Sequence, residues 1–343
     1  MRIAEIAPPW LAVPPRGYGG IELVVAALAS GLTARGHDVT LFAPEGSTSE
    51  ADVVSPLQPA GSELIGNPWY EAHHAVAAFM RREEFDVLHN HTFLGTALGA
   101  SLPDAPPVVH TLHGAWTPEA RRYYDLLDGR LELVAISAAQ RQSNDAIRYA
   151  ATIPNGIDLA RYPLGAGPRD DFLVYIGRAS ADKAPDDAIR LARRVGRPLK
   201  LVCKQAEPEE VEYWNEVVEP LLGPEIEVLP EVGHAQKLEL LQTGAAFVFP
   251  IRWEEPFGLV VIEAMACGMP VVARPGGAVA DIVIDGETGF LADDLEELAD
   301  AIGRTGEISP EACRARVAAC YSSDAMVDAY EELFERLTNG GGG

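Results

Sequence analysis

DFLVYIG, residues 171–177, decides the fold, because it restarts a pattern that has already run once along the chain. It is a short β-branched and aromatic run closed by glycine, and it reads as a strand. Before it, RIAEIA, DVTLFA, DVLHNH, PVVHTLH and LELVAIS have the same character, separated by segments such as IELVVAALASGLTARG, whose apolar residues recur with helical spacing up to a glycine stop. After it, RPLKLVC, EIEVLP, AAFVFP and MPVVA continue the alternation. IPNGIDLARYPLGAGPRDD (153–171), dense in Pro, Gly and Asp, reads as the linker between two βα arrays. The expectation is an α/β protein of two facing Rossmann-like domains with parallel sheets, whose ligands bind at the C-terminal ends of the strands, in the interdomain cleft. We place an N-terminal Rossmann-like domain at 1–162, a C-terminal Rossmann-like domain at 163–322, a helix at 323–338 packing back toward the first domain, and a flexible tail at 339–343.

Composition limits the function. At 343 residues and 48% hydrophobic content the chain fits two domains with large cores. Its 51 acidic and 27 basic residues give a net charge of -24, which disfavours a sequence-independent hold on nucleic acid or on an anionic membrane. Both parts share the excess: 11 basic and 18 acidic residues up to position 165, then 16 and 33. Cys203, Cys267, Cys313 and Cys320 form no C-x-x-C pair and read as reduced thiols. MRIAEIAPPWLAVPP carries four prolines and a glutamate where a secretory signal needs an unbroken apolar segment, and no stretch reaches the length of a membrane span. A soluble, cytoplasmic protein is expected.

The candidate chemistry centres on EEPFGLVVIEAMACGMPVVA (254–273), where Glu263 is the single charge between Pro256 and Ala273. Pro256-Phe257-Gly258 precedes a helix over about 259–267, and Gly268 and Pro270 end it. The first amides, at Gly258 and Leu259, form the positive end of that helix, suited to a phosphate. A carboxylate accepts two hydrogen bonds from a vicinal diol, so Glu263 suits a ribose and Glu255 the hydroxyls of a sugar. The alternative is a buried Glu263 satisfied by backbone amides and a Glu255 on the surface. Arg178 and Lys183, in the loop after the strand DFLVYIG, offer two cations for a diphosphate. RGYGGIE (16–22) fails as a dinucleotide fingerprint, since Glu22 replaces the third glycine and a proline-rich loop replaces the tight turn. His89 and His91 share one face of a strand, but no third ligand and no D-x-D motif accompanies them, so no metal site is read.

E-x-F-G-L-x-x-x-E-A-M-A-x-G-x-P-V-V-A, with Glu255 and Glu263 as its acids, resembles the signature of retaining glycosyltransferases of family 4, which have the GT-B fold. YIGRASADKAPDDAI, PGGAVADIVIDGETGFLA and VVHTLHG are similar to three further segments of that family, with Asp281 where its pattern has glutamate. The small size is similar to that of family members that decorate antibiotics and other natural products. The resemblance implies a glycosyltransferase that moves a hexosyl group with retention of configuration from a nucleoside-diphosphate sugar, a UDP-sugar first and a GDP-sugar second, without a metal or other cofactor. It implies catalytic roles for His113, Arg178, Lys183 and Glu255, and donor contacts from Gly19, Gly20, Arg178, Lys183, Glu255, Phe257, Gly258, Leu259 and Glu263. In it Gly19-Gly20 corresponds to a flexible loop closing over the donor phosphate, and His113 to a histidine beside the donor sugar.

NPWYEAHHAVAAFMRREEF (67–85) mixes Arg81-Arg82 with Glu83-Glu84 and carries no net positive stripe, so membrane association is not expected. The expected acceptor is a soluble small molecule or oligosaccharide, docking near His113 and His91. A sugar-nucleotide epimerase of the same fold, a non-catalytic nucleotide-sugar binder and a nicotinamide-dependent oxidoreductase are the competing readings. Donor hydrolysis or transfer without an epimer product decides against the first, the intact set of Glu255, Glu263, Arg178 and Lys183 speaks against the second, and the broken fingerprint against the third.

Overall fold

The computed structural model describes residues 1–17, 19–60, 64–102 and 104–339. Tyr18 of the glycine loop and residues 340–343 of the expected tail lie outside them. The chain divides into two compact units: Met1–Gly156 with Ser323–Gly343, and Ile157–Ser322.

The first unit is built on seven parallel strands: β1 (Arg2–Ile6), β2 (Asp38–Phe42), β3 (Asp52–Val54), β4 (Val87–Asn90), β5 (Val108–Leu112), β6 (Glu132–Ala135) and β7 (Ala151–Thr152). Their order in the sheet is β3-β2-β1-β4-β5-β6-β7. Ile3, Leu88, Val109 and Val134 are buried, as expected for strands covered on both faces. The chain reverses its winding direction between β1 and β4, and in such sheets ligands bind beyond the strand ends at that reversal. The helix Ser323–Asn339 belongs to this unit and lies against the helix Gly20–Ala34. Gly31 makes the approach close: a Cβ there would stand 2.5 Å from Val327. At its flank Glu331 accepts from Arg35 at 2.9 Å and pairs with His37 Nε2 at 2.8 Å.

The second unit repeats the plan with β8 (Leu173–Arg178), β9 (Leu199–Lys204), β10 (Ile226–Leu229), β11 (Ala246–Phe249), β12 (Val271–Ala273) and β13 (Gly289–Leu291). The sheet order is β10-β9-β8-β11-β12-β13, all parallel, so its reversal lies between β8 and β11. This unit begins at Ile157, whereas the sequence reading ends the first domain at 162. Residues 157–162 are tied to the second unit by their own polar groups: Leu159 O accepts from Arg314 at 3.2 Å, and Tyr162 Oη donates to Glu263. A segment read from its Pro and Gly content as linker is therefore ordered structure.

Candidate functional site

In the second unit the loops after β8 and β11 meet at the reversal point. The amide of Arg252 donates to Asp182 O at 2.8 Å, tying one loop to the other. Lys183 ends up facing Glu255: its ammonium pairs with Oε2, which also accepts from Trp253 Nε1 at 3.0 Å. The same ammonium sits 4.6 Å from the Trp253 ring centre. A cation over an indole face and beside a carboxylate is held twice over. Both groups are buried or nearly so, with side-chain exposures of 13% and 9%, which removes the reading of Glu255 as a surface charge.

The loop that carries Glu255 is held from beneath. Glu255 O accepts from Ala278 N at 2.8 Å, and Glu254 Oε2 accepts from Gly277 N at 2.7 Å. Gly277 has φ 58°, and a Cβ there would stand 2.3 Å from Glu255 O, so the Gly-Gly pair is a steric requirement of this loop. Asp281, where the sequence departs from the family pattern, is exposed.

The helix occupies Leu259–Ala266, capped by Cys267, and begins at Gly258 with φ 94°. That left-handed turn lets the chain enter the helix directly after the Glu255 loop, and it leaves first-turn amides without intrahelical partners. Val261 to Ala266 are all buried, Glu263 among them. Among the described residues, no backbone amide holds Glu263. Its Oε1 accepts from Tyr162 Oη at 2.5 Å and from Lys237 Nζ at 2.7 Å. Burial and the adjoining carboxylate raise the pKa of Tyr162, so the phenol stays a donor. Glu263 Oε2 has no hydrogen-bond partner among the described residues.

Arg178, at the end of β8, pairs with Asp182 at 2.9 Å and lies 3.9 Å from Glu210. The two expected phosphate-binding cations are thus both engaged with carboxylates. The structure also brings in Lys237, Tyr162 and Trp253, which the sequence reading did not select. Lys237 sits in a helix, His234–Thr243, that carries no motif, and Tyr162 lies in the segment read as linker. The Trp253 position, next to Glu254-Glu255, was the one signal available.

In the first unit, Gly19 caps the helix Gly20–Ala34 with φ 155°, and a Cβ there would stand 2.7 Å from Pro15. Glu22, buried three positions on, has its pKa raised to about 7 by desolvation. His89, on β4, and His91 and His113, just beyond β4 and β5, belong to one hydrogen-bonded cluster. The sequence showed no third ligand-type group beside His89 and His91, but the fold supplies one: Glu5, on β1. The three offer atoms within 4.8 Å of one another, facing each other across hydrogen bonds of 3.0 Å (His89 Nδ1) and 3.2 Å (His91 Nε2). His91 Nδ1 in turn lies 2.8 Å from Nε2 of His113, which is half-buried.

The family described as "Glycosyl transferases group 1" matches residues 158–316, and "Glycosyltransferase Family 4" matches residues 18–161. The chain is a family 4-type glycosyltransferase with the GT-B fold. The solved structure of AviGT4, a glycosyltransferase involved in avilamycin A biosynthesis, is similar to this glycosyltransferase at 28% identity and a TM-score of 0.76, over 99% of this chain and 98% of that one. A glycogen synthase of Mycobacterium tuberculosis (strain CDC 1551 / Oshkosh) is 28% identical over 80% of this chain and 79% of its own length. A D-inositol 3-phosphate glycosyltransferase of Rhodococcus jostii (strain RHA1) is 28% identical over 89% and 82%. Among the described residues no helix is long and apolar enough to cross a membrane.

Proposed function

We propose that this glycosyltransferase moves a hexosyl group, with retention and without a metal, from a nucleoside-diphosphate sugar to a hydroxyl of a soluble small molecule or oligosaccharide, with a UDP-sugar as the first donor to test. The observation that carries the reading is the Lys183–Glu255 pair at the strand reversal, beside a helix that starts on left-handed Gly258. In the reaction the bond from the anomeric carbon to the phosphate oxygen breaks and a bond to the acceptor oxygen forms. The acceptor's proton leaves with the nucleoside diphosphate.

Charge separates in that step, negative on the phosphate and positive on the sugar. Lys183, Arg178 and the amides of Gly258 and Leu259 face the negative side, where one donor of this kind contributes about 3 kcal/mol to the barrier lowering. Glu255 faces the positive side. Arrival of the diphosphate gives Lys183 a second anion and releases Glu255 toward the sugar hydroxyls. Glu263 accepts from the ribose through Oε2 while Tyr162 and Lys237 hold Oε1. Phe257, buried just before the helix Leu259–Ala266, shapes the donor site. The involvement of the similar AviGT4 in avilamycin A biosynthesis supports a natural product as the acceptor class. The test is a panel of nucleoside-diphosphate sugars with oligosaccharide and glycoside acceptors, read by NMR of the product anomeric centre. A retained anomer from a UDP-sugar supports the reading. An inverted anomer, or an epimerised donor without transfer, contradicts it.

A further inference from the structure

Glu5 is wholly buried on β1, and the groups facing its two oxygens are imidazole rings: His89 Nδ1 at Oε1 and His91 Nε2 at Oε2. No lysine or arginine pairs with it among the described residues. A carboxylate taken out of water without a cation is strongly disfavoured, so this group is held as the neutral acid, with one O–H to donate and one oxygen to accept. Burial acts in the same direction, raising its pKa.

Counting protons decides which ring receives the O–H. His89 Nε2 lies 2.7 Å from Thr111 Oγ1, and Thr111 Oγ1 lies 2.6 Å from Tyr330 Oη. Tyr330 is buried, and its hydroxyl has no other partner among the described residues. If Glu5 donated to His89, the far nitrogen of that ring would donate to Thr111. One of the two hydroxyl protons of Thr111 and Tyr330 would then be buried without an acceptor, which is costly. With the O–H directed to His91, every proton is used. Tyr330 donates to Thr111, Thr111 to His89 Nε2, and His89 Nδ1–H to Glu5. On the other side Glu5 donates to His91 Nε2, which leaves His91 Nδ1–H to donate to His113 Nε2.

We propose that Glu5 is a positioning residue that acts through His91 to fix His113 in the tautomer with a protonated Nδ1, so that His113 meets its ligand as a hydrogen-bond donor. His113 Nδ1 has no partner among the described residues, and the ring is half-buried at the end of the chain of bonds. The group it selects is an oxygen acceptor, not a hydroxyl proton. Only the naming of that ligand as a sugar donor or acceptor rests on the proposed function; the tautomer stands on the first unit alone.

The test is ring-nitrogen NMR at neutral pH on ligand-free protein labelled with 15N-histidine, with the His113 signals identified by their loss in His113→Asn. Wild type should show His113 protonated at Nδ1 and bare at Nε2. Glu5→Gln should show the same pattern, because its amide N–H replaces the acid O–H toward His91 and its carbonyl still accepts from His89. His91→Phe should leave His113 as a mixture of tautomers. A bare Nδ1 on His113 in wild type, or an inverted tautomer in Glu5→Gln, means that Glu5 does not donate to His91 and overturns the proposal. The wild-type spectrum decides even if a variant fails to fold, and no donor or turnover is involved, so failure of the transfer reading leaves the result standing.

Discussion

Lys237 Nζ lies 2.7 Å from Glu263 Oε1, the same oxygen that takes the Tyr162 hydroxyl. Two donors on one oxygen orient the carboxylate and leave the other oxygen for a ligand. Glu263→Gln should therefore weaken binding of a nucleoside diphosphate by about 1.5 to 3 kcal/mol, the range for a hydrogen bond to a charged group. Calorimetry with ribo- and 2′,3′-dideoxynucleotides checks this. Equal weakening for both would make Glu263 a structural residue.

The histidines of the first unit set its response to acid. Burial lowers the pKa values of His89, His91 and His110 to about 3. In the unfolded chain a histidine takes up its proton near pH 6.5, so between 6.5 and 3 the unfolded state binds more protons and stability falls as the pH falls. Each contributes a slope of about 1.4 kcal/mol per pH unit well inside that window. Glu5, Glu22 and Glu71, raised by burial, act oppositely, whereas His74 and His113 are lowered like the other three rings. Urea unfolding of the protein at pH 7.5 and pH 5 should show lower stability at the lower pH. Equal stability would mean that these rings are charged in the fold.

Much of this was legible in the chain. The two arrays followed from alternating β-branched and amphipathic runs, and the helix before Gly268 from its flanking Gly and Pro. Glu255, Glu263, Arg178 and Lys183 stood out as charges in apolar or glycine-rich settings. Lys237, Tyr162 and Glu5 did not, because each owes its place to a contact made across the fold and none lies in a local pattern. Glu5 in particular alternates with apolar residues on β1, where a strand residue's partner is set by sheet register: Glu5 lies opposite His89. The exposed stripe of Trp69, Val76 and Met80 along and just beyond the helix Pro68–Phe79 also escaped a reading based on charge.

That helix leads to a membrane prediction. Arg81 pairs with Glu84 at 2.7 Å and Arg82 lies 3.6 Å from Glu83, so neither arginine presents an uncompensated charge. Salt-sensitive binding to anionic vesicles is not expected. Co-sedimentation at physiological salt should leave the protein in the supernatant. Pelleting that is lost on raising the salt would contradict the soluble-acceptor reading.

Under the proposed function transfer should continue in excess chelator, because Lys183, Arg178 and the amides at Gly258 and Leu259 would answer the phosphate charge. Turnover measured with and without chelator should agree. Its loss, with recovery on adding magnesium or manganese, would overturn metal independence.

The most direct test of the account is the turnover of a UDP-sugar by wild type and by Lys183→Ala, with the fold of the variant checked by circular dichroism. Removing one charge-stabilising donor from a departing oxyanion lowers kcat by about 10²- to 10³-fold. We predict release of UDP by wild type and a loss of that size in Lys183→Ala. Turnover in Lys183→Ala equal to wild type, or no turnover of any nucleoside-diphosphate sugar by wild type, would contradict the central claim.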